Sequence, residues 1–208
     1  MSCSSSTPVR DDDAYWNHNT AYHPWLIGIA SRQHGDVLDV GCGDGLLAAR
    51  LSTVSRTVTA LEPDPTAAQR ARDRLAANAT VRVTECDFAS LDTDGARFDL
   101  ITFVASLHHM PLRPALTRAR EMLRPGGEIA VVGLSANHSA TDFAWAAACL
   151  PLVRIGSWWH HESRDVGVVT TTPREDLAAI RCIARDVLPG ASVRRALYYR
   201  FLLRWQRP

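Results

Sequence analysis

The sequence predicts an α/β fold, a sheet covered by helices on both faces. Three observations predict it. Apolar strand-like runs alternate with segments of helical spacing between residues 36 and 134. The first run, Asp36–Val40, stops in the turn Gly41-Cys42-Gly43-Asp44-Gly45 and is followed at once by helix formers. Further along, Pro125-Gly126-Gly127 separates a helical segment from another apolar run.

Taken in order, residues 1–13 are polar, end in three acidic side chains and read as a flexible tail before a single domain over 14–208. Residues 14–34 carry Tyr15, Trp16, Tyr22, Trp25, Leu26 and Ile29 at spacings that suit one or two amphipathic helices, a helical cap ahead of the sheet. Strands are expected at 36–40, 57–61, 81–85, 98–103 and 128–134, with helices at 46–53, 65–77 and 113–123. After Leu134 the rhythm breaks. Residues 135–172 are too long for a plain connection and are expected to form a lid or substrate segment. Thr172-Pro173-Arg174-Glu175 reads as a helix start, with Thr as N-cap, Pro at the first helical position and Glu at the third. That helix is expected to run to about Val187, followed by strand candidates at 192–197 and 198–203.

Composition removes several function classes. A net charge of +1 over 208 residues does not support nucleic-acid binding through bulk charge. All 23 basic residues are arginine, so neither a Schiff-base lysine nor a phosphate-binding loop lysine exists. Cys3, Cys42, Cys86, Cys149 and Cys182 are widely spaced, odd in number and form no C-x-x-C pair, which argues against a disulfide framework or a zinc site. The N-terminus lacks the basic-then-apolar order of a signal peptide, and the apolar stretch 143–153 is interrupted by Pro151 and too short to span a bilayer. The expectation is a cytoplasmic protein with a small-molecule substrate and neither nucleic acid nor membrane as partner; monomer and homodimer both stay open.

The glycine-rich turn carries the chemistry. A strand that ends in glycines brings bare backbone close to a ligand, and the following helix presents its N-terminal N–H groups there. A dinucleotide fingerprint needs glycine or alanine at the sixth position, where this chain has Leu46. Asp39 and Asp44 flank and enter the turn; carboxylates there suit a cationic ligand and repel a pyrophosphate.

With Val37-Leu38-Asp39-Val40-Gly41-Cys42-Gly43-Asp44-Gly45, Leu61-Glu62-Pro63-Asp64, Glu85-Cys86-Asp87-Phe88, Phe98 to Met110, and Leu123-Arg124-Pro125-Gly126-Gly127, the chain resembles the class I S-adenosyl-L-methionine-dependent methyltransferases, of the small-molecule type near the ubiquinone and menaquinone enzymes. The resemblance covers residues 35–135 well and the rest in outline. It implies a Rossmann-like, seven-stranded, mostly parallel sheet whose last strand is antiparallel. It implies S-adenosylmethionine as cofactor, held around Asp39, Gly41, Cys42, Gly43 and Gly45. Glu62 would take the ribose hydroxyls, Asp87 the adenine amino group, and Phe88 a wall of the adenine pocket. Backbone at Val104 and Ala105 would face the methionine part, with Tyr22 reaching its carboxylate. The Asn-Pro-Pro-aromatic signature of nucleic-acid amino and glutamine methylation is absent.

His108 and His109 are the candidates for catalysis, since an imidazole near neutrality can take a proton from an acceptor as the methyl moves. Trp158-Trp159-His160-His161-Glu162 is read as lid; adjacent histidines point apart, so no metal is expected. Arginines 194, 195, 200, 204 and 207, interleaved with aromatic residues, describe an edge strand with one wet face better than a nucleic-acid patch. Two rival functions stand beside methyl transfer. One is an NAD(P)-dependent oxidoreductase, which Leu46 and the lack of any Tyr-x-x-x-Lys pair oppose; the other is a cofactor-binding protein without turnover.

Overall fold

The computed structural model describes residues 15–92, 95, 97–136, 149–150, 173–198 and 200–208. The expected tail lies outside these residues, as does the expected lid apart from 135–136 and 149–150. Strand β1 (Asp36–Val40) pairs in parallel with β2 (Thr57–Leu61) on one side and β4 (Phe98–Val104) on the other. Beyond β2 lies β3 (Val81–Thr84), and beyond β4 lies β5 (Leu123–Leu134), both parallel to their neighbours. Strand β7 (Arg200–Gln206) runs antiparallel to β5 and to the outermost strand β6 (Ser192–Ala196). The seven-stranded order is β3-β2-β1-β4-β5-β7-β6, with β7 alone reversed. The chain winds outward from β1 to β3 and then returns to β4, so the order switches between β1 and β4, where open sheets of this kind place a ligand.

Strand alternation sorts the side chains onto two helical layers. Leu38, Val40, Ile101 and Phe103 pack with Leu116 and Ile180, which belong to α4 (Leu112–Met122) and α5 (Leu177–Val187). Val37 and Leu100 pack instead with Leu26 of α1 (His23–Gln33), Ala48 of α2 (Leu46–Leu51) and Ala71 of α3 (Pro65–Leu75). Because both faces are covered, the central strands read as nearly unbroken apolar runs. Each fully buried leucine or isoleucine, Leu26, Ile101 and Leu116 among them, contributes ~1.5–3 kcal/mol. The same alternation assigns the polar Asp39 and Thr102 to the layer of α1 and α2. No helix among the described residues is long and apolar enough to cross a membrane.

Several boundaries differ from the sequence expectation. Helix α5 starts at Leu177 under an Asp176 cap whose carboxylate accepts the Ala179 N–H at 2.7 Å. Pro173, Arg174 and Glu175 precede it outside the helix, and Thr172 lies outside the described residues. The reason is tertiary: Ala136, just past β5, donates its N–H to Glu175 O at 2.9 Å and bridges Asp176, which holds this stretch extended. Strand β5 begins at Leu123, so α4 stops at Met122 and Pro125-Gly126-Gly127 forms an irregular part of the strand, where the register against β4 shifts. Gly126 sits at φ +79° there and donates to Arg207 O at 2.9 Å. The last two strands run over 192–196 and 200–206, the first one residue shorter than expected and the second shifted toward the C-terminus, since Tyr198 turns the chain at φ +57°. The edge strand is β6, which carries Arg194 and Arg195; β7 is sandwiched by β5 and β6, and its exposed Arg204 pairs with the buried Glu128 at 2.5 Å.

Candidate functional site

A cavity of about 1060 Å³ opens along the carboxyl edge of the sheet. It is lined by the segments that leave β1, β2, β3, β4 and β5, by Arg200 at the start of the reversed β7, and by the N-terminal segment over 15–23. Asp39, Gly41, Cys42, Gly43, Glu62, Asp87, Phe88, Val104, Ala105, His108 and His109, all candidate site residues of the sequence, are brought together in its lining.

The turn after β1 needs its first glycine. Gly41 sits at φ +73°, and a Cβ there would lie 2.4 Å from the Ser106 Cβ. The Ser106 hydroxyl in turn donates to Val40 O at 2.5 Å, locking the ends of β1 and β4 together. The first three backbone N–H groups of the turn are already engaged. Gly41 and Cys42 donate to Leu61 O at 2.8 and 2.9 Å, and Gly43 donates to Glu62 Oε2 at 2.8 Å. They therefore do not form the anion nest that a pyrophosphate would need. Glu62, 6% exposed, also accepts the Asp64 N–H through Oε1 at 3.1 Å. Each of its oxygens thus holds one backbone donor and keeps acceptor capacity toward the cavity.

Asp39 is 1% exposed. Its Oδ1 accepts from Thr102 Oγ1 at 2.7 Å, while its Oδ2, fully buried, has no hydrogen-bond partner. Burial pushes its carboxyl up to about 7, against the Thr102 bond and with a further upward push from Glu62. Asp44 also lines the cavity. Arg74 pairs with it at 2.9 Å and Tyr15 donates its hydroxyl at 3.1 Å, so its charge is answered within the protein. The Cys42 thiol is pushed up by burial and by the carboxylates of Asp39 and Glu62, which keeps it protonated and unreactive.

Two predicted cofactor residues fall outside the cavity lining. Gly45 caps α2 at φ +81°, and a Cβ there would meet Leu75 at 2.9 Å and Ala71 at 3.2 Å, so its task is to let α3 approach. Tyr22 donates its hydroxyl to Leu197 O at 2.7 Å, tying the N-terminal segment to the β6–β7 turn. Burial pushes that hydroxyl up to about 12. Its neighbour His23 lines the cavity instead.

Phe88 packs beside the same wall. It lines the cavity and is 5% exposed, edge-on to Phe103 at 5.5 Å between centroids. Asp87 stands exposed just before it. Ala105 holds the left-handed φ of +51° and donates to Val132 O at 2.8 Å, which fixes the backbone where β4 ends. His108 and His109 follow on a short 3-10 turn with ring centroids 4.2 Å apart; His108 is half-buried and His109 exposed. Among the described residues no group of three His, Cys, Asp or Glu side chains is placed to hold a metal ion, and Trp158–Glu162 lies outside them.

The sequence reasoning missed part of the N-terminal wall. Tyr15, Asn17, Asn19 and Thr20 all line the cavity. The local signal was present: Asn17 Oδ1 accepts the N–H groups of Asn19 and Thr20 at 2.9 and 3.0 Å, an Asn-led turn. The pairing of Asn19 Oδ1 with the Arg200 guanidinium, at 2.7 Å from Nη2, has no local signal.

The fold and this cavity define a nucleotide-type cofactor site of Rossmann-like topology with acidic rather than phosphate-binding walls. Residues 37–127 match the family model described as the methyltransferase domain. The chain is 36% identical over 200 residues to an uncharacterized methyltransferase of Mycobacterium tuberculosis, covering 94% of this chain and 99% of that protein. It is 37% identical over 112 residues to the 27-O-demethylrifamycin SV methyltransferase of Amycolatopsis mediterranei, 51% of this chain and 41% of that protein. Its fold matches the N-methyltransferase NodS from Bradyrhizobium japonicum, solved with S-adenosyl-L-homocysteine, at TM-score 0.63 and 19% identity over 99% of this chain and 94% of that one. The chain belongs to the methyltransferase family, in its class I, S-adenosylmethionine-dependent branch.

Proposed function

We propose that the chain methylates an O, N or C nucleophile of a small molecule in the cytoplasm, with natural-product or quinone-like molecules as the acceptors to try first. The rifamycin-type relative supports that choice of acceptor, and neither nucleic acid nor membrane is part of the reading. One observation carries the cofactor side: a buried Asp39 with an unpartnered oxygen in the cavity wall. An ionised carboxylate there is unfavourable in the empty protein and is matched by a ligand ammonium.

When bound, S-adenosylmethionine supplies an electrophilic methyl group on a sulfonium. Asp39 would hold its amino group. Glu62, with one backbone donor already on each oxygen, would accept from the two ribose hydroxyls. Asp87 would accept from the adenine amine, with Phe88 as a wall and the Val104–Ala105 backbone beside the methionine part. Met110, Pro111, Pro114 and Leu134 would give the acceptor side an apolar wall. Most of the acceleration would then come from alignment in a dry cavity. Of the two histidines we place the proton acceptor on His108, the half-buried one.

Isothermal calorimetry tests this. S-adenosylmethionine and S-adenosylhomocysteine should bind and NAD should not, and Glu62→Ala should weaken both by on the order of tenfold or more. Binding of NAD alone, or an unchanged affinity in Glu62→Ala, overturns the assignment. A panel of phenols, amines and enols with mass-spectrometric detection then identifies the nucleophile.

A further inference from the structure

The cavity holds a buried histidine that the reading above leaves without a task. His23, the first residue of α1, is 3% exposed and lines the cavity. Arg50, from α2, sits 3.0 Å from its Nδ1 through Nη1. A guanidinium can only donate, so Nδ1 is the acceptor and the ring hydrogen resides on Nε2. The ring is kept neutral, its pKa pushed down to about 3 by burial and by the Arg50 charge. His23 is therefore an uncharged donor of fixed tautomer with a cation directly behind it.

We propose that His23, polarised by Arg50, receives the carboxylate of the cofactor's methionine end. The inference rests on the reading that the cavity holds S-adenosylmethionine. Position supports it. Glu62 and Asp87 leave β2 and β3, which places ribose and base on that side of the sheet. Asp39 belongs to the layer of α1 and α2 and marks the ammonium. The amino acid's other group must lie close to that ammonium, and α1 and α2 are the elements that carry His23 and Arg50. Chemistry supports it too. Carboxylates fill the walls at Asp39, Glu62 and Asp87 and repel a ligand carboxylate. A guanidinium exposed directly to the ligand would in turn repel its ammonium and sulfonium. A neutral imidazole set between Arg50 and the ligand attracts the anion and spreads the cation's charge away from the other two groups. The arginines of the lining itself are held elsewhere: Arg118 by the carbonyls of Phe88 and Leu91 on the β3 side, and Arg200 by Asn19 Oδ1 and Tyr198 O at the start of β7.

The test compares two ligands on the full-length protein by calorimetry. S-adenosylhomocysteine carries the amino-acid end; 5′-methylthioadenosine has the same adenosine and thioether without it. His23→Ala should weaken S-adenosylhomocysteine on the order of 10- to 100-fold, the range for a hydrogen bond to a charged group, and leave 5′-methylthioadenosine within about twofold. His23→Gln, which keeps an N–H near the position of Nε2, should recover most of the loss, and Arg50→Met should show a smaller loss confined to the same ligand. An equal loss on both ligands overturns the proposal, because it means His23 only shapes the cavity; so does no loss on either. If the wild-type protein binds neither ligand, the cofactor reading itself fails, a result distinct from binding that is intact and insensitive to His23. Thermal melting of each variant separates lost binding from lost fold, and a His23→Gln protein that folds but binds like His23→Ala also counts against the role.

Discussion

The two ends of β1 hold two aspartates three residues apart, and the fold treats them in opposite ways. Asp36, at the amino end, is surrounded by donors: Arg56 at 2.5 Å, Arg124 at 2.8 Å and the Thr57 hydroxyl at 2.8 Å. Its carboxyl is held well below the usual range, chiefly by the Arg56 hydrogen bond. Asp39, at the carboxyl end, has Thr102 on one oxygen and nothing on the other, and burial pushes it up to about 7. The first carboxylate is satisfied by the protein, and Arg124 extends its network to Asp99 on β4 at 2.6 Å. The second keeps one buried oxygen without a protein donor. The difference separates a residue that ties the sheet together from one proposed to meet a cation, and it can be broken experimentally from either end.

The largest effect is expected from Asp39→Asn. The amide keeps the volume and the Thr102 contact but carries no charge. Affinity for S-adenosylmethionine should fall on the order of 100-fold, about 2–3 kcal/mol for a charge-assisted bond in a buried site. Thermal stability of the empty protein at pH 8 should hold or rise, because an ionised, half-satisfied carboxylate has been removed. A variant that binds as tightly as wild type would end the assignment of Asp39 to the cofactor.

Asp36→Ala should do the reverse. Loss of the network should lower stability by about 1–2 kcal/mol, a modest figure because solvent screens Arg56, whose side chain is 60% exposed. Cofactor affinity should be unchanged. Urea denaturation and calorimetry on one preparation read both quantities, and a large drop in affinity would show that the two ends of β1 are coupled.

Titration sharpens the contrast because the two groups have opposite signs. The folded pKa of Asp36 is depressed, so its contribution is present above the unfolded value of ~3.9 and is lost as pH falls through the folded value. The folded pKa of Asp39 is raised to about 7, so the empty protein should lose stability from this group as pH rises from about 4 to about 7. A bound cation favours the ionised form. Cofactor affinity should therefore climb, by up to about tenfold per pH unit below 7, and level off above it, with proton release on binding. Calorimetry at pH 6 in two buffers of different ionisation enthalpy measures that release, and Asp39→Asn should abolish it.

The contrast also marks how far the sequence could be read. Strands β1 and β2 and the start of α3 were legible to the residue, because apolar runs, glycine punctuation and the Asp64-Pro65 cap are all local signals. The start of α5 was misread for the opposite reason. Thr172-Pro173 satisfies the local capping rules, but the bridge from Ala136 to Asp176, forty residues apart, decides the backbone. Gly45 looked like its neighbours Gly41 and Gly43, yet its open side faces α3. Tyr22 and His23 are adjacent and equally plausible by type; only the docking of α1 on α2 shows which one faces the cavity. Nothing local distinguishes Asp36 from Asp39 beyond their distance from the glycines, because what separates them is the arginines that reach only one.

The smallest effects are expected from the threonines that accompany the two aspartates, each on a neighbouring strand. Thr102, fully buried, donates to Asp39 at 2.7 Å, whereas Thr57, exposed, donates to Asp36 at 2.8 Å. Thr102→Val removes a donor that stabilises the ionised carboxylate, so the carboxyl of Asp39 should rise further and the pH dependence of cofactor binding should move up with it. The loss should be a few-fold near pH 7, in keeping with about 1 kcal/mol for one hydrogen bond, and should shrink at pH 9, where Asp39 is ionised in either protein. Thr57→Val should leave the binding curve in place at every pH, since solvent and two arginines still satisfy Asp36. If the two substitutions shift the binding curve alike, β1 does not divide into a structural end and a ligand-binding end.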